Sequence, residues 1–542
     1  MACERLTFVA RPPLKVLATN RVVPVAVALA IVVAAVAFVI VRDDDDADLI
    51  AGTGPQAEAT SEPLASGDIE VETAAPSGEA APADVVRPPQ PGNVSVIPGL
   101  PGSREPTACT KRPVDEVGVS DDTIKIGQVI TDSNQIPQQF RPAHEGLLAF
   151  VKLFNRNGGL CGRTLELDYR NDQLNPAIHT QDMREIANES MAFVGNESVL
   201  DQLDYNNNPP FQPQFMGGGS YVPDVGGLAF SYARSQSAWH AGVIGSVSPT
   251  LVGGSQYKYF QSQQKAAGKP CTKGAILYLS EPTGASEDQA RLGQVSIEES
   301  WGAGLGKGNT KLYSVSLIPP ADANTYAGIV RQMADDGMDC VYSYTDLNSS
   351  VQLANAMRGQ GYWPPATCTR GAKCFRFAYI PFAAYDEKFL RDAGTAATGF
   401  STFVPHVPLQ EPEHPAMKTY FNALKAVADA RPSTFSVLGF TSGVMFVEAL
   451  QHCREAPTRT CLINSLRKMK DFTAGGLLGG TTPFKTTRAT YDRYGTFNWK
   501  WIFNASVAMR VVEKNGKRDF VRLNPKSGFA SDTLKIARGT AA

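Results

Sequence analysis

The segment Thr123-Ile-Lys-Ile-Gly-Gln-Val-Ile130 opens the folded part of this 542-residue chain, and the pattern that follows it indicates the fold. Residues 143–154 carry apolar side chains at helical spacing. The paired glycines of Asn155-Arg-Asn-Gly-Gly-Leu160 end that helix, and Arg163-Thr-Leu-Glu-Leu-Asp-Tyr169 predicts a second strand. Strands that alternate with helices predict a parallel sheet covered on both faces.

A second unit of the same kind follows. The first unit continues with a predicted helix at 175–188 and a strand at 191–195, and the alternation restarts at Gly274-Ala-Ile-Leu-Tyr-Leu279. Further strands are predicted at 311–317 and 339–343, with helices between them. Open α/β sheets bind ligands beyond the carboxyl ends of their strands, so two such units with a cleft between them predict a small-molecule site.

Several short motifs occur in a recognisable order. They are Ile124-Lys-Ile-Gly127, Asn155-Arg-Asn-Gly-Gly-Leu-Cys-Gly-Arg163, Asp172 with Pro176, Phe193-Val-Gly195 followed by Ser198, Ala321-Asp-Ala-Asn-Thr-Tyr326 leading to Gly337-Met-Asp339, and Gly399-Phe400 with Pro405. Over about residues 119–525 the chain therefore resembles the type I periplasmic-binding family, specifically the branched-chain amino-acid (leucine/isoleucine/valine) binding proteins of ABC transporters.

The resemblance implies a two-lobe α/β fold in which each lobe is a parallel sheet flanked by helices. Three crossings between the lobes place residues 119–245 plus 402–480 in lobe 1. They place residues 246–401 plus 481–535 in lobe 2. The third crossing is expected near Gly479-Gly-Thr-Thr-Pro-Phe484.

The N-terminal region predicts a membrane anchor. Residues 22–41 are apolar apart from Pro24, and a helix of that length rises roughly 30 Å, enough to cross the hydrocarbon core. Basic residues precede the segment and a run of aspartates at 43–46 follows it, so the positive-inside rule places residues 1–21 in the cytoplasm. We expect a single-pass protein of the cell membrane with an extracytoplasmic C-terminal domain. The alternative is a cleaved signal peptide with Ala35-Val36-Ala37 as its processing site.

Residues 43–117 predict a disordered linker. The segment is rich in Pro, Ala, Gly, Glu and Ser, as in Pro88-Pro-Gln-Pro-Gly92. Such a composition has too little apolar surface to offset the entropy of ordering.

The cysteines indicate an oxidising compartment. Cys3 precedes the apolar segment and eight cysteines follow it, an even number that predicts four disulfides. Two pairs are close in sequence, a third lies at or near the starts of predicted neighbouring strands, and the last two cysteines remain. Buried free thiols are the alternative. The predicted pairs are Cys368 with Cys374, Cys453 with Cys461, Cys271 with Cys340, and Cys109 with Cys161.

Composition and motifs argue against other classes of protein. The net charge of −2 disfavours a nucleic-acid binder, which needs a basic surface. Gly302-Ala-Gly-Leu-Gly-Lys-Gly308 lacks the Ser or Thr of a phosphate-binding loop, and Gly439-Phe-Thr-Ser-Gly443 misplaces the serine of a nucleophile elbow. The six histidines lack metal-ligand spacing. We therefore expect no catalysis, no cofactor and no metal.

Candidate ligand contacts in lobe 1 follow its strands. The resemblance implies that hydroxyls and backbone N–H groups hold a ligand carboxylate at Ser198 and at Gly218, Gly219 and Ser220. A helix N-cap is the alternative role of Ser198, and a flexible turn is the alternative for the glycines. The loop after the first strand adds Ser133 and Asn134.

Candidate contacts in lobe 2 follow its strands in the same way. They are Ser280, Glu281, Tyr344, Thr345 and Asp346, where an acid would hold an ammonium and an aromatic ring would cover an apolar part or a cation. The alternative for Asp346 is a cap of the following helix. The acidic clamp that the family uses for an amino group would fall near Ile380-Pro-Phe382, which carries no acid.

The sequence thus predicts an extracytoplasmic solute-binding protein. It would capture a small molecule, an amino acid or a related amide or carboxylate, between two lobes for an ABC importer whose permease is the membrane partner. The alternative is a ligand-sensing receptor module that acts through a partner membrane protein, since the same fold gates signalling partners.

Overall fold

A computed structural model gives the fold of the chain. It describes residues 100 and 109–542 except for the gaps 202–221, 231–233, 235–238, 244–250, 254, 282, 300–303, 319, 371–372, 470–471, 479–486, 489–500, 503–504, 524–528, 531–532 and 536–542.

The first sheet consists of five parallel strands in the order β2-β1-β3-β4-β5. Residues of β1 pair with β2 along their whole length, from Thr123 opposite Thr164 to Ile130 opposite Asn171. The elements are β1 (Thr123–Ile130), α1 (Arg141–Arg156), β2 (Thr164–Asn171), α2 (Pro176–Glu189), β3 (Ala192–Val194), β4 (Asp224–Val225) and β5 (His240–Ala241).

The second sheet has eight strands along the path β15-β14-β11-β10-β9-β7-β8, with β16 paired to β14. Two short pairs, β6 with β17 and β12 with β13, lie outside it. The remaining elements in chain order are β6 (Leu251–Gly253), α3 (Ser255–Ala266), β7 (Gly274–Ser280), α4 (Ala285–Glu299), β8 (Thr310–Ser316), α5 (Ala323–Asp335), β9 (Cys340–Tyr344), α6 (Leu347–Gly359), β10 (Phe377–Tyr379), α7 (Glu387–Asp392), β11 (Ser401–Val404), α8 (Pro415–Leu424), α9 (Thr434–Leu450), α10 (Arg459–Lys468), β12 (Thr487–Arg488), β13 (Trp501–Ile502), β14 (Ala505–Lys514), β15 (Lys517–Arg522), β16 (Phe529–Ala530) and β17 (Thr533–Lys535).

The predicted α/β fold with two sheets is confirmed, with one correction to the second sheet. The prediction of a parallel sheet is wrong at one edge, because β14 pairs antiparallel with β11 and with β15. A two-residue turn accounts for the pairing of β14 with β15: Lys514 pairs with Lys517, and Asn515 and Gly516 between them both have positive φ. Asn-Gly is the turn that matches the twist of an antiparallel hairpin.

Helix α9 returns to the first sheet late in the sequence. Ser442 on α9 accepts a hydrogen bond from the Gly227 N–H at 2.9 Å, just beyond β4. The helix also lies tightly against α1, since a Cβ on Gly146 would stand 1.8 Å from the Ser436 carbonyl oxygen. A Cβ on Gly439 would stand 1.9 Å from the Ala143 carbonyl oxygen. Glycine at both contacts lets the two helix backbones approach closely.

Two of the predicted lobe boundaries can be compared with the described residues. Residue 402 falls inside β11, and β11 pairs with strands of the second sheet. The third crossing predicted at 479–484 lies outside the described residues.

The C-terminal end of the predicted linker is part of the folded body, which corrects its boundary. Cys109 is buried and bonded to Cys161, although the linker was predicted to run to residue 117. The Arg112 N–H donates to the Glu455 carbonyl at 3.0 Å, and Arg163 Nη2 donates to the Arg112 carbonyl at 2.6 Å. These bonds hold residues that composition alone assigns to a mobile segment.

The four predicted cysteine pairs all lie at disulfide distance. Their Cα atoms are 5.6, 5.8, 5.9 and 6.3 Å apart, within the usual range for a disulfide. The pairs are Cys109–Cys161, Cys271–Cys340, Cys368–Cys374 and Cys453–Cys461.

The apolar segment 22–41 lies outside the described residues. Within the described part of the chain, every helix is too short or too polar to cross a bilayer.

Candidate functional site

Loops from the two sheets meet where their strands end. We call this region the junction: it consists of residues 131–140, 195–201 and 226–230 beside the first sheet, 280–281, 283–289, 344–350 and 380–386 beside the second, and 433–435 at the start of α9. Among the described residues, three hydrogen bonds join the two sides directly: Thr283 Oγ1 to the Val199 carbonyl at 3.3 Å, Gln289 Nε2 to the Phe230 carbonyl at 2.8 Å, and the Leu347 N–H to Gln139 Oε1 at 2.9 Å.

Aromatic rings from both sides pack in the junction. The Phe140 ring lies 5.1 Å from the Phe230 ring and 4.8 Å from the Phe435 ring, both edge to face. Phe382, which follows β10 of the second sheet, has its ring centroid 5.9 Å from that of Phe435. Edge-to-face pairs of this kind stabilise a contact beyond the area that they bury.

Ser198 belongs to a buried hydrogen-bonded group that we call the Asp172 cluster (Thr131, Asp172, His179 and Ser198). Asp172 Oδ2 accepts from Ser198 Oγ at 2.5 Å and from Thr131 Oγ1 at 3.0 Å, and His179 Nδ1 lies 2.9 Å from the same oxygen. Ser198 Oγ in turn accepts from the Leu200 N–H at 3.1 Å. The side chain of Ser198 is 2% exposed, so its hydroxyl is committed to the first-sheet side of the junction.

A second buried group, the Asp224 cluster (Glu197, Asp201, Asp224, Arg234 and His240), lies at the same edge of the sheet. Arg234 Nε and Nη2 bind the two oxygens of Asp224 at 2.8 and 3.0 Å, and His240 Nδ1 lies 3.0 Å from Asp224 Oδ2. Burial would raise the pKa of Asp224, but the positive charges of Arg234 and His240 outweigh it and hold that pKa below its ordinary value.

The acids of the Asp224 cluster hold the loop at 226–230. Glu197 Oε1 accepts from the Leu228 N–H at 3.0 Å, and Asp201 Oδ2 accepts from the Phe230 N–H at 2.8 Å. Arg234 Nη1 donates to the Leu228 carbonyl at 3.0 Å. This loop carries the Phe230 ring and the carbonyl that Gln289 contacts, so the cluster positions part of the junction.

Among the second-sheet candidates, Glu281 and Asp346 act as caps. Glu281 accepts from the Gly284 N–H at 3.0 Å and the Ser286 N–H at 2.9 Å, while Ser280 beside it is exposed. Asp346 accepts from the Asn348 and Ser349 N–H groups at 2.7 and 3.0 Å, which is the capping role given as its alternative. Burial raises the pKa of Asp346, while those N–H groups lower it in part.

Tyr344 and Thr345 face different surroundings. The Tyr344 hydroxyl bonds the Tyr257 hydroxyl, and a Cβ on Gly293 of α4 would stand 2.0 Å from it. Tyr344 therefore packs between the second sheet and its helices rather than with the junction rings. Thr345 Oγ1 lies 2.8 Å from Ser343 Oγ and is buried.

Two of the remaining candidates, Ser133 and Asn134, lie in the loop that follows β1. Asn134 is exposed, and Ser133 Oγ is buried with no hydrogen-bond partner in the part of the chain that the structure describes. Gly218, Gly219 and Ser220 lie outside the described residues.

Residues that sequence reasoning missed are Phe140, Glu197, Phe230 and Phe435. Glu197 stands beside the candidate Ser198, and Phe140 and Phe435 stand at the starts of two helices. The signal for Glu197, Phe140 and Phe435 is a position shortly after a strand or at a helix start, whereas Phe230 lies several residues beyond β4 and has no such signal.

The described residues contain one group with metal-ligating atoms close together: Cys271, Asp339 and Cys340. The two sulfur atoms are joined in a disulfide. The Asp339 carboxylate accepts from the Thr272 and Lys273 N–H groups at 3.0 and 2.9 Å. These bonds commit all three side chains to structural roles.

Solved structures with similar folds belong to solute-binding proteins. The fatty acid ABC transporter substrate-binding protein from Thermomonospora curvata is 16% identical, with a TM-score of 0.57, and the match covers 78% of this chain and 96% of that one. The branched-chain amino acid transporter substrate binding protein from Streptococcus pneumoniae in complex with isoleucine is 17% identical, with a TM-score of 0.52 and 74% and 100% covered. A solute binding protein from R. palustris in complex with 4-hydroxybenzoate is 15% identical, with a TM-score of 0.55 and 76% and 97% covered.

These likenesses define the class by fold: the chain has the type I periplasmic-binding fold. Residues 296–500 match the protein family described as "Periplasmic binding protein". No match is found among curated proteins.

Proposed function

We propose that this chain is an extracytoplasmic solute-binding protein that closes its two sheets around a small molecule and presents it to an ABC importer. The observation that carries the proposal is the junction, where loops following strands of both sheets touch each other directly. Ligands of open α/β sheets bind beyond the carboxyl ends of the strands, and the junction contains those ends from both sheets.

The proposed mechanism is a change in population between open and closed arrangements. A ligand that contacts loops of both sheets binds the closed arrangement more tightly than the open one. It stabilises the closed arrangement by the difference between these two binding free energies. The three hydrogen bonds between the sheets add to closure without the ligand, and each contributes about 1 kcal/mol or less in water. The ligand would then supply the remaining preference, and the importer would recognise the closed form.

The proposed location is the cell membrane, with the folded part outside. Four cysteine pairs at disulfide distance support an oxidising compartment. The apolar residues 22–41, with basic residues before them and acidic ones after, support a single-pass anchor.

Thermal unfolding of the full chain in mild detergent tests the proposal. We expect the melting temperature to rise with a subset of amino acids, amides and small carboxylates, since a ligand at about 100 times its Kd stabilises by about 2.7 kcal/mol. Native mass spectrometry of the same preparation would show the adduct. If neither amino acids nor amides nor carboxylates change the melting temperature, the proposal fails.

The variant Gln289→Ala tests whether the contacts between the sheets support binding. It removes one hydrogen bond across the junction and should weaken ligand affinity about fivefold, the equivalent of about 1 kcal/mol. Arg291→Ala on the same helix is the control, because its side chain is 59% exposed and pairs with Glu287 on the surface. Equal affinities of the two variants would argue against closure through the junction.

A further inference from the structure

Arg431 lies in the connection between α8 and α9, on the first-sheet side of the junction. Its Nη2 donates to the Gln138 carbonyl at 2.6 Å, and its Nη1 lies 3.4 Å from Asp386 Oδ1 on the second-sheet side. The three hydrogen bonds described above between the two sides all connect neutral groups. Arg431 and Asp386 therefore add an attraction between opposite charges across the same boundary.

The backbone of Arg431 is fixed to the first-sheet side. Its N–H donates to Glu145 Oε2 on α1 at 3.1 Å. Pro432 follows, and a residue before proline is restricted to extended backbone because the proline ring crowds it. Ser433 then begins α9 with a capping box that it shares with Ser436. The guanidinium group therefore extends from a fixed point of the first unit.

The carboxylate of Asp386 is fixed to the second-sheet side. It caps α7 by accepting from the Lys388 N–H at 2.8 Å. An exposed ion pair contributes little, because water screens it and its side chains lose freedom when they pair. Here the Asp386 side chain is 7% exposed and that of Arg431 is 29% exposed, and the carboxylate is already held by its cap. Both losses are therefore smaller for this pair than for an ion pair on the open surface.

We propose that Arg431 and Asp386 form a latch that favours the closed arrangement of the two sides before a ligand binds. Arg431 is then a positioning residue, which sets the fraction of the protein that is closed. The apparent affinity for a ligand that needs the closed form falls in proportion to that fraction. The proposal rests on the opening and closing that belong to the proposed function, and it names a pair of side chains that controls them.

Hydrogen exchange of single amides in the ligand-free full chain measures the closure. The Leu347 N–H donates to Gln139 Oε1 across the junction, while the Ser350 N–H donates to the Asp346 carbonyl at the start of the same helix, α6. Opening frees the first amide and leaves the second bonded, so the ratio of their exchange rates reports opening rather than unfolding of α6. We expect Arg431→Gln to raise this ratio about fivefold over wild type.

Asp386→Asn is the matched variant of the partner, because asparagine caps a helix as well as aspartate does but carries no charge. It should raise the exchange ratio as much as Arg431→Gln does, and the double variant should add little to either, since each change breaks the same contact. Arg391→Gln on α7 is the control and should keep the wild-type ratio, because its side chain is 71% exposed and pairs with the adjacent Asp392. Effects that simply add, or a wild-type ratio in both single variants, would overturn the latch. The measurement uses no ligand, so that result would leave the solute-binding function to the thermal screen.

Ionic strength gives a second readout that a purely structural role of Arg431 would not change. Raising NaCl from about 0.05 to about 0.5 M shortens the Debye length to about 4 Å and weakens attraction between partly exposed charges. The wild-type exchange ratio should therefore rise with salt toward that of Arg431→Gln, while the variant stays level and Arg391→Gln follows wild type. The same salt dependence in wild type and Arg431→Gln would mean that the charge of Arg431 does not hold the two sides together, and the proposal would be wrong.

Discussion

Two buried polar clusters lie at the same edge of the first sheet and differ in how their acids are satisfied. In the Asp172 cluster, one carboxylate oxygen receives Ser198, Thr131 and His179. In the Asp224 cluster, Asp224 is matched by Arg234 and His240, but one oxygen of the neighbouring Glu197 has no hydrogen-bond partner among the described residues. The acids of both clusters are buried, so burial alone does not distinguish a carboxyl group that is fully hydrogen-bonded from one that is not. The difference between the two carboxyl groups is the number of hydrogen-bond donors that reach each of them.

The largest expected effect is the loss of the buried cation. Arg234→Leu leaves Asp224 buried without its main partner and should reduce the free energy of unfolding by about 3–5 kcal/mol, measured by urea denaturation. Arg291→Ala removes an exposed ion pair and should cost less than about 1 kcal/mol. Similar losses in the two variants would mean that Asp224 and Arg234 are not tightly coupled.

The second-largest loss of stability is expected when Asp172, the acceptor of the Asp172 cluster, is replaced. Asp172→Ala leaves the buried Ser198, Thr131 and His179 groups without a shared acceptor and should cost about 3 kcal/mol by the same measurement. Asp335→Ala is the control, since the Asp335 side chain is 68% exposed and pairs with Lys373 on the surface. A loss below about 1 kcal/mol would show that the three donors find other partners.

A gain in stability is expected at Glu197. Below about pH 4.5 Glu197 is protonated in both the folded and the unfolded chain, so Glu197→Gln and wild type should be equally stable there. As the pH rises, the unfolded chain releases this proton first, because the folded pKa is raised, and wild type loses stability that the variant keeps. Near neutral pH the variant should be more stable by on the order of 1 kcal/mol, measured by denaturation across the pH range. A difference that shrinks as the pH rises would contradict the raised pKa.

The smallest effect is expected at Ser198. Ser198→Ala removes one of the three donors to Asp172 and should cost about 1 kcal/mol. The exposed Ser280→Ala should change the unfolding free energy by less than about 0.5 kcal/mol. If Ser198→Ala weakens ligand binding far more than it lowers stability, the serine has a direct role that its buried bonds do not reveal.

The strands and helices of both units could be predicted because the spacing of apolar residues along the sequence follows which side chains are buried. The strand predicted at 123–130 has those bounds in the structure, and the helix predicted at 143–154 runs from Arg141 to Arg156. The antiparallel hairpin at 505–522 was missed although Asn515-Gly516 is a turn signal, because the α/β alternation favoured parallel strands throughout. Local patterns identify elements well, but they do not fix which strands become neighbours.

The candidate site was harder to predict for a chemical reason. Asp346 and Glu281 stand directly after strands, where both ligand contacts and helix caps are found, and the same carboxylate chemistry serves either role. Tyr344 ends its strand pointing toward α4 because side chains alternate across a sheet, and the sequence alone does not say which face meets the junction. The Phe140 and Phe435 rings come together only through the packing of α1 against α9.

The bond between Cys109 and Cys161 sets where the folded body bears a mechanical load. A pull on the chain at residue 109 passes through a covalent link to Cys161, in the turn that precedes β2, and the hydrogen bond from Arg163 to the Arg112 carbonyl shares the load. If the chain is anchored at its N-terminal segment as proposed, such a pull would reach the folded body on the side of the first sheet.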